Sequence, residues 1–164
     1  MMAIRTRVGQ GFDIHRFVDG PSDRVLVLGG VKFPNEKPLA GHSDADVIAH
    51  AAADALLGAA SLGDIGMHFP DTDPQWAGAN SLTLLAHVAT IVREAGFEIG
   101  NVDCSIVCEK PKIAPHREEM QKLLSDATGA TITIKGRRAE GLGALGREEG
   151  IACWAVAVIE RTQA

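Results

Sequence analysis

The pattern of apolar and polar positions divides the chain into short strands and amphipathic helices. Arg7 to Phe12 reads as a first strand, and residues 25–33 (VLVLGGVKF) as two β-rich runs around Gly29 and Gly30, a hairpin. From Asp44 to Ala60, Ala and Leu at helical spacing predict a helix, with Ser43 and Asp46, three apart, as a capping box. Residues 64–78 are dense in Gly, Pro and Asp and read as a long loop. Ser81 to Ala95 is a second amphipathic helix, stopped by Gly96. Residues 98–109 (EIGNVDCSIVCE) follow as a strand that Pro111 closes. Pro115 can start a third helix, which runs to Ala127 and stops at Gly129. Residues 131–136 (TITIKG) are a strand, Gly141, Gly143, Gly146 and Gly150 mark a flexible loop, and residues 151–160 (IACWAVAVIE) form the last strand.

That order, strand, hairpin, two helices, strand, helix and two strands, predicts an α+β fold. We expect a two-layer sandwich: a mixed four-stranded sheet with helices on one face, plus a small β-hairpin. The last strand is apolar on both alternating faces. Helices can cover one of them; the other needs a second subunit, so an oligomer is expected. The length of 164 residues suits a single domain, 1–164.

Charge and composition narrow the partners. Lys and Arg number 16 against 21 Asp and Glu, a net charge of −5. With no basic excess to displace counterions, nucleic acid is excluded as the main partner. A phosphate-rich small molecule would need local positive charge from a metal ion, a helix N-terminus or a few Lys and Arg. No apolar run reaches membrane-spanning length and the first ten residues lack a signal-peptide core, so the expectation is a cytoplasmic protein with no membrane partner. Cys104, Cys108 and Cys153 are odd in number, lack zinc-ribbon spacing and read as buried free thiols.

The stretch Gly11-Phe12-Asp13-Ile14-His15 carries the first chemical signal. On a strand, Asp13 and His15 project to one face. Alone, D-x-H is weak and fits an ordinary half-exposed strand end. The helix adds Asp46, His50 and Asp54, one stripe at every fourth residue, with His42 and Asp44 just before it. On an Ala-rich helix such a stripe faces either water or a polar site. Asp13, His15 and His50 would supply one carboxylate and two imidazoles, a three-ligand zinc set with an open fourth position. Asp54, one turn beyond His50, could accept its second ring N–H and orient it. For Asp46 the competing reading is a solvated helix face that gains from the macrodipole.

These segments resemble a known family. GQGFDIHRF, then GHSDADVIAHAAADALLGAASLGDIGMHFPDTDP, PKIAPH and GREEGIA are similar, in order and over nearly the whole chain, to the 2-C-methyl-D-erythritol 2,4-cyclodiphosphate synthases. The resemblance implies a homotrimer with active sites between subunits. The small-molecule substrate would be 4-diphosphocytidyl-2-C-methyl-D-erythritol 2-phosphate, cyclised with loss of CMP. Zn2+ (one per subunit) and a second ion, Mg2+ or Mn2+, would hold the phosphates. By position, Asp13, His15 and His50 match the family's zinc ligands and Glu140 the ligand of the second ion. His42 and Ser43 match contacts near the transferring phosphate, His42 as a transition-state stabiliser. Asp64, Ile65 and Gly66, then Phe69, Pro70, Asp71, Thr72 and Asp73, match the methylerythritol pocket. Cys108, Glu109, Lys110, Pro111, Lys112, Ile113 and Ala114 match the cytidine segment donated by a neighbouring subunit. Arg147 and Glu149 match the end of the C-terminal loop.

Residues 135–150 (KGRRAEGLGALGREEG) depart from the family pattern. Arg137 and Arg138 stand where threonines are expected, Arg138 at a position implied to contact the α- and β-phosphates in the transition state. Ala144 replaces an aromatic residue near the substrate, and Glu148 a glycine. An arginine can donate two hydrogen bonds to phosphate and add charge, or be too long for a site shaped around threonine. Two other functions stay open: a metallohydrolase acting on another nucleoside diphosphate, and a non-catalytic trimer that binds isoprenoid diphosphates.

Overall fold

The computed structural model describes residues 4–162; residues 1–3 and 163–164 of the expected unit lie outside them. Two long strands set the frame. β1 (Ile4–Arg16) pairs antiparallel with β6 (Gly150–Thr162) along its whole length, Asp13 opposite Cys153 and His15 opposite Ile151. β4 (Glu98–Val107) runs antiparallel on the other side of β6, with a bulge between Ile99 and Asn101, and β5 (Thr131–Arg137) pairs parallel with β4. The result is a mixed sheet in the order β1-β6-β4-β5. β2 (Leu26–Leu28) and β3 (Val31–Phe33) form a separate hairpin, and both turn residues, Gly29 and Gly30, hold positive φ.

The helices lie on one face. α1 (Val47–Ala60) packs across β1, β6 and β4; α3 (Ser81–Glu94) packs on α1 and β4; α4 (Arg117–Thr128) packs on α3 and β5. Alternate β6 residues Ile151, Cys153, Ala155, Ala157 and Ile159 are buried beneath them. All three cysteines are buried and free, and burial pushes the Cys108 thiol up to about 12.

β1 and α1 touch backbone to backbone. Gly9 and Gly11 lie on the inward face, where a Cβ at Gly11 would sit 2.0 Å from Ala51 O and one at Gly9 would sit 2.0 Å from Ala55 O. Glycine on the strand and alanine on the helix are what allow this approach. Asp13 and His15 continue the same inward face, so the approach delivers them to the first turn of α1.

Several boundaries differ from the sequence reading. The first helix begins at Val47, not Asp44, because Ala45 takes a left-handed conformation (φ 59) that breaks the helix ahead of Asp46. Ser43 and Asp46 form no capping box; Asp46 is itself the N-cap and accepts from Ile48 N and Ala49 N. The loop at 64–78 contains a short helix, α2 (Ile65–His68), and a 3-10 turn at Pro74–Trp76. The third helix starts with a 3-10 turn at Ala114–His116, and the glycine-rich loop holds α5 (Gly143–Gly146).

Candidate metal centre and substrate cavity

Three donor groups meet where β1 runs under the start of α1. Asp13 Oδ2 lies 3.2 Å from His15 Nε2 and 3.0 Å from His50 Nδ1. One ligand atom from each of the three lies within 4.8 Å of the others, and all three side chains are part-buried. Burial pushes the Asp13 carboxyl up, but hydrogen bonds to His15 and His50, and the charge on both rings, outweigh it and hold the group at about 2. Burial pulls His50 down, but its bond to Asp13 and the charges of Asp13, Asp46 and Asp44 leave it raised overall.

The far side of the His50 ring fixes its tautomer. Nε2 lies 2.8 Å from Ser81 Oγ and 3.1 Å from Ser43 Oγ. The Ser81 hydroxyl donates to Asp44 Oδ1, so its oxygen is free to accept from His50 Nε2–H. That leaves the Nδ1 lone pair facing the Asp13 carboxylate. Two electron-rich atoms at 3.0 Å repel unless a cation, a proton or a metal ion, lies with them. The donor set therefore fits a metal ion, and a Ser81–Asp44 pair that orients the ring is the support such a ligand requires.

Asp54 does not take the orienting part expected of it. Both His50 nitrogens are already engaged, and Asp54 Oδ1 instead accepts from Ile65 N at 2.7 Å, fixing the start of α2. Asp46 does not face solvent either. It is fully buried and accepts from Gly29 N at 2.8 Å and Gly30 N at 2.7 Å as well as capping α1. Burial, with the charge of Asp44, pushes it up to about 6 against the pull of those amides. The Asp46–His50–Asp54 stripe is thus split among three tasks: hairpin and helix cap, cluster, and α2.

A cavity of about 460 Å³ opens over the cluster. Asp13, His15, His50, Gly41, His42 and Ser43 line one side; Ile65, Gly66, Phe69, Pro70, Asp71, Trp76 and Leu84 line the other. His42 Nε2–H donates to Asp73 O at 3.0 Å, which leaves Nδ1 uncommitted. Of the remaining expected pocket residues, Asp64 caps α2 through Met67 N, Asp73 caps the next turn through Gln75 N, and Thr72 is exposed; none lines this cavity.

Residues 108–114 make a second cavity of about 220 Å³. It is walled by Cys108, Glu109, Pro111, Lys112, Ile113 and Ala114, together with Arg117, Gly136, Arg137 and Arg138. Lys110 pairs with Glu148 at 3.5 Å, and Glu109 accepts from Ala139 N at 2.8 Å. Glu140 holds a left-handed backbone (φ 54), Ala144 lies on α5, and Arg147 Nε is 2.6 Å from Glu149 Oε1. None of these residues lines the first cavity, and the 108–114 cavity lies at the end of β5, the opposite edge of the sheet from β1. Three strand spacings, about 14 Å, separate them.

The sequence reading missed Ser81, Trp76, Leu84 and Arg24. Ser81 follows an Asn that caps α3, a signal readable from sequence; its pairing with Asp44 spans 37 positions and is not. Arg24 lies outside the cavity, and its guanidinium donates to Leu39 O at 3.0 Å and to Ser43 O at 2.6 Å.

The YgbB family model matches residues 6–160. The 2-C-methyl-D-erythritol 2,4-cyclodiphosphate synthase of Geobacillus thermodenitrificans is 50% identical over 96% of this chain and 99% of its own. The same synthase of Bacillus cereus is 52% identical over 94% and 98%. Among solved structures, the bifunctional IspDF of Campylobacter jejuni superposes with a TM-score of 0.90 at 38% identity over 97% of this chain; this chain spans 43% of that one. IspF of Plasmodium falciparum, solved as a CDP complex, gives 0.82 at 33% identity over 96% and 97%.

Proposed function

The chain belongs to the YgbB family, and from that premise we propose the chemistry by which it performs the family's reaction. Its activity is the synthesis of 2-C-methyl-D-erythritol 2,4-cyclodiphosphate in the non-mevalonate route to isoprenoids. In our reading the substrate is 4-diphosphocytidyl-2-C-methyl-D-erythritol 2-phosphate. An oxygen of the 2-phosphate bonds to the β-phosphorus, the bond from that phosphorus to the bridging oxygen breaks, and CMP leaves with that oxygen. This makes the protein a phosphorus–oxygen lyase. The 2-phosphate is largely ionised near neutral pH, so no general base is needed; the chain must position charges and neutralise them.

The observation that carries this reading is the Asp13–His15–His50 cluster opening into a cavity walled by His42, Ser43 and residues 65–71. One carboxylate and two imidazoles suit Zn2+, which when bound supplies Lewis-acid charge to a phosphoryl oxygen. Glu140 would hold the second ion, Mg2+ or Mn2+. Ser43 and His42 Nδ1, which line the cavity, would meet the phosphates, with His42 stabilising the transition state, and Gly66, Phe69 and Pro70 would hold the methylerythritol. Residues 108–114 take the cytidine, largely through backbone groups, and Arg137 and Arg138 bring cations to that cavity in place of threonines.

Within one subunit the two cavities sit toward opposite edges of the sheet, so the complete site needs two copies. Val8 (66% exposed), Ile14 (50%), Phe12, Trp154 and Val156 form an apolar patch on the face without helices. We assign it to the contact between three copies around a common axis, with the cytidine cavity of one subunit completing the metal cavity of the next. Residues 1–164 act as one domain in this assembly. No helix among the described residues is long and apolar enough to cross a membrane; we place the protein in the cytoplasm.

The test is product analysis by phosphorus NMR with Zn2+ and Mg2+ present. A cyclic diphosphate and CMP in equal amounts are expected, and acyclic products would refute the reading in favour of a metallohydrolase. Arg138→Thr should lower turnover roughly 10-fold if the guanidinium contacts phosphate, about the strength of one charge-assisted hydrogen bond. An inactive wild type restored by threonine would refute that role.

A further inference from the structure

The segment 39–44 is a strap with His42 and Ser43 on its cavity side, anchored at one end by buried Leu39 and at the other by Asp44, which accepts from Ser81. Ala40 N donates to Arg16 O at 2.9 Å, His42 O accepts from Gly78 N at 2.8 Å, and Asp44 N donates to Ala79 O at 3.1 Å. All three partners belong to segments that flank the site. Gly41 presses on the His15 ring, where a Cβ would lie 3.1 Å from Cε1. Ser43 is buried, and its hydroxyl lies 3.1 Å from His50 Nε2. The strap therefore sets where His42 and Ser43 stand relative to the cluster.

Arg24 holds both ends of this strap from outside. Its Nε donates to Leu39 O at 3.0 Å and its Nη2 to Ser43 O at 2.6 Å. Arg24 is half-buried, lies just before β2, and with Ser43 and Asp44 lines a separate cavity of about 300 Å³. A planar guanidinium binding two carbonyls four residues apart fixes the distance between them, which a single ammonium cannot do. Arg24 touches no residue of the metal cluster and does not line the substrate cavity.

We infer that Arg24 is a positioning residue for the cyclisation: it clamps Leu39 and Ser43 so that His42 and Ser43 are preset against the phosphates. Displacement of a catalytic group by about 1 Å costs on the order of 100-fold in rate, so loss of the clamp appears in kcat. The metal cluster is held by β1, α1 and Ser81, and Arg24 hydrogen-bonds none of its three residues. This inference rests on the proposed cyclisation for its kinetic effect and on geometry alone for the clamp.

The experiment measures kcat, KM, zinc content and backbone hydrogen exchange in wild type, Arg24→Ala, Arg24→Lys, and a His42→Ala/Ser43→Ala pair with and without Arg24→Ala. Arg24→Ala should lower kcat roughly 10- to 100-fold with KM within about 2-fold and zinc content unchanged. Exchange at Ala40 and Asp44 should rise while the β1–β6 amides keep wild-type protection. Arg24→Lys should recover part of the loss. In the His42→Ala/Ser43→Ala background, removing Arg24 should change kcat less than about 2-fold, which a general loss of stability would not produce. Wild-type kcat in Arg24→Ala, or an equal drop in both backgrounds, overturns the inference. If the wild type proves not to cyclise, the proposed reaction fails, and exchange at Ala40 and Asp44 alone decides the clamp: unchanged exchange overturns it.

Discussion

Gly11→Ala tests whether the metal cluster depends on the contact between β1 and α1. The added Cβ would lie 2.0 Å from Ala51 O and 2.6 Å from Ala55 N, both helix backbone. Easing the first contact to about 3.4 Å requires β1 and α1 to separate by roughly 1.4 Å, and no side chain can give way instead. Overpacking of this kind costs about 1–3 kcal/mol, and we take the upper end because backbone must move. For a chain of this size that lowers Tm by roughly 6–12 °C. Ala51 is the neighbour of His50 and Gly11 is two residues from Asp13, so the same separation opens the cluster, and zinc affinity should fall about 10- to 100-fold. Gly58→Ala is the control. It lies on the same helix, exposed, with only Gln10 O at 3.8 Å from the new Cβ, and should stabilise by about 0.5–1 kcal/mol. The assays are thermal unfolding in chelator and competitive zinc titration against a chromophoric chelator. A Gly11→Ala protein within about 1 kcal/mol of wild type and with unchanged zinc affinity would refute the reasoning.

Ser81→Ala should weaken zinc binding about 10- to 100-fold by freeing His50 Nε2, whereas Asp54→Ala should leave zinc affinity unchanged and raise KM as α2 loosens; the reverse pattern in the same titration would restore Asp54 as the orienter. In the metal-free protein, Asp13 at about 2 against an ordinary 3.8 binds its proton more weakly folded than unfolded. It therefore contributes about 2 kcal/mol above pH 4 that is lost as pH falls from 4 to 2, and the unfolding curve of Asp13→Asn should lack that limb. Phe12→Glu places a charge on the exposed apolar face opposite Trp154 and should convert the proposed trimer to monomers in light scattering, with activity lost and the monomer fold retained by circular dichroism.

Periodicity carried the element order and the strand repeat carried the pairing of Asp13 with His15, because both are consequences of local geometry; His50, 37 positions from Asp13, joined them through the chemistry of the donor set and the family resemblance. A strand's two-residue repeat places Asp13 and His15 on one face whatever the rest of the chain does. The errors fall where one residue breaks the local rule. Ala45 in the left-handed region turns the backbone between Asp44 and Asp46, so the two carboxylates part: one goes to Ser81, the other to the hairpin amides. A helix drawn from Asp44 cannot show that, since it carries the backbone through residue 45 without a turn. The sequence has Ala, not Gly, at that position, so it holds no warning of the turn.

Asp46 and Asp54 carry a more general point about stripes of polar residues on a helix. By its i, i+4 spacing alone, such a stripe is a single polar face, either solvated or directed at one site. In the structure each member is answered by a different neighbour: the Gly29–Gly30 turn, the Asp13 carboxylate and the Ile65 amide. Each is a demand made by packing, because the hairpin turn, the end of β1 and the start of α2 all bring unsatisfied polar groups against an Ala-rich helix. The helix supplies one acceptor or imidazole to each at one-turn intervals. Only the middle one is aligned with β1, and the glycines of that strand decide which it is. Moving the close contact from Gly9 and Gly11 by one turn would bring Asp13 to Asp46 or Asp54, two carboxylates with His15 as the one imidazole. The identity of the metal centre is therefore set as much by Gly9, Gly11 and the alanines they touch as by the three residues that could hold the ion.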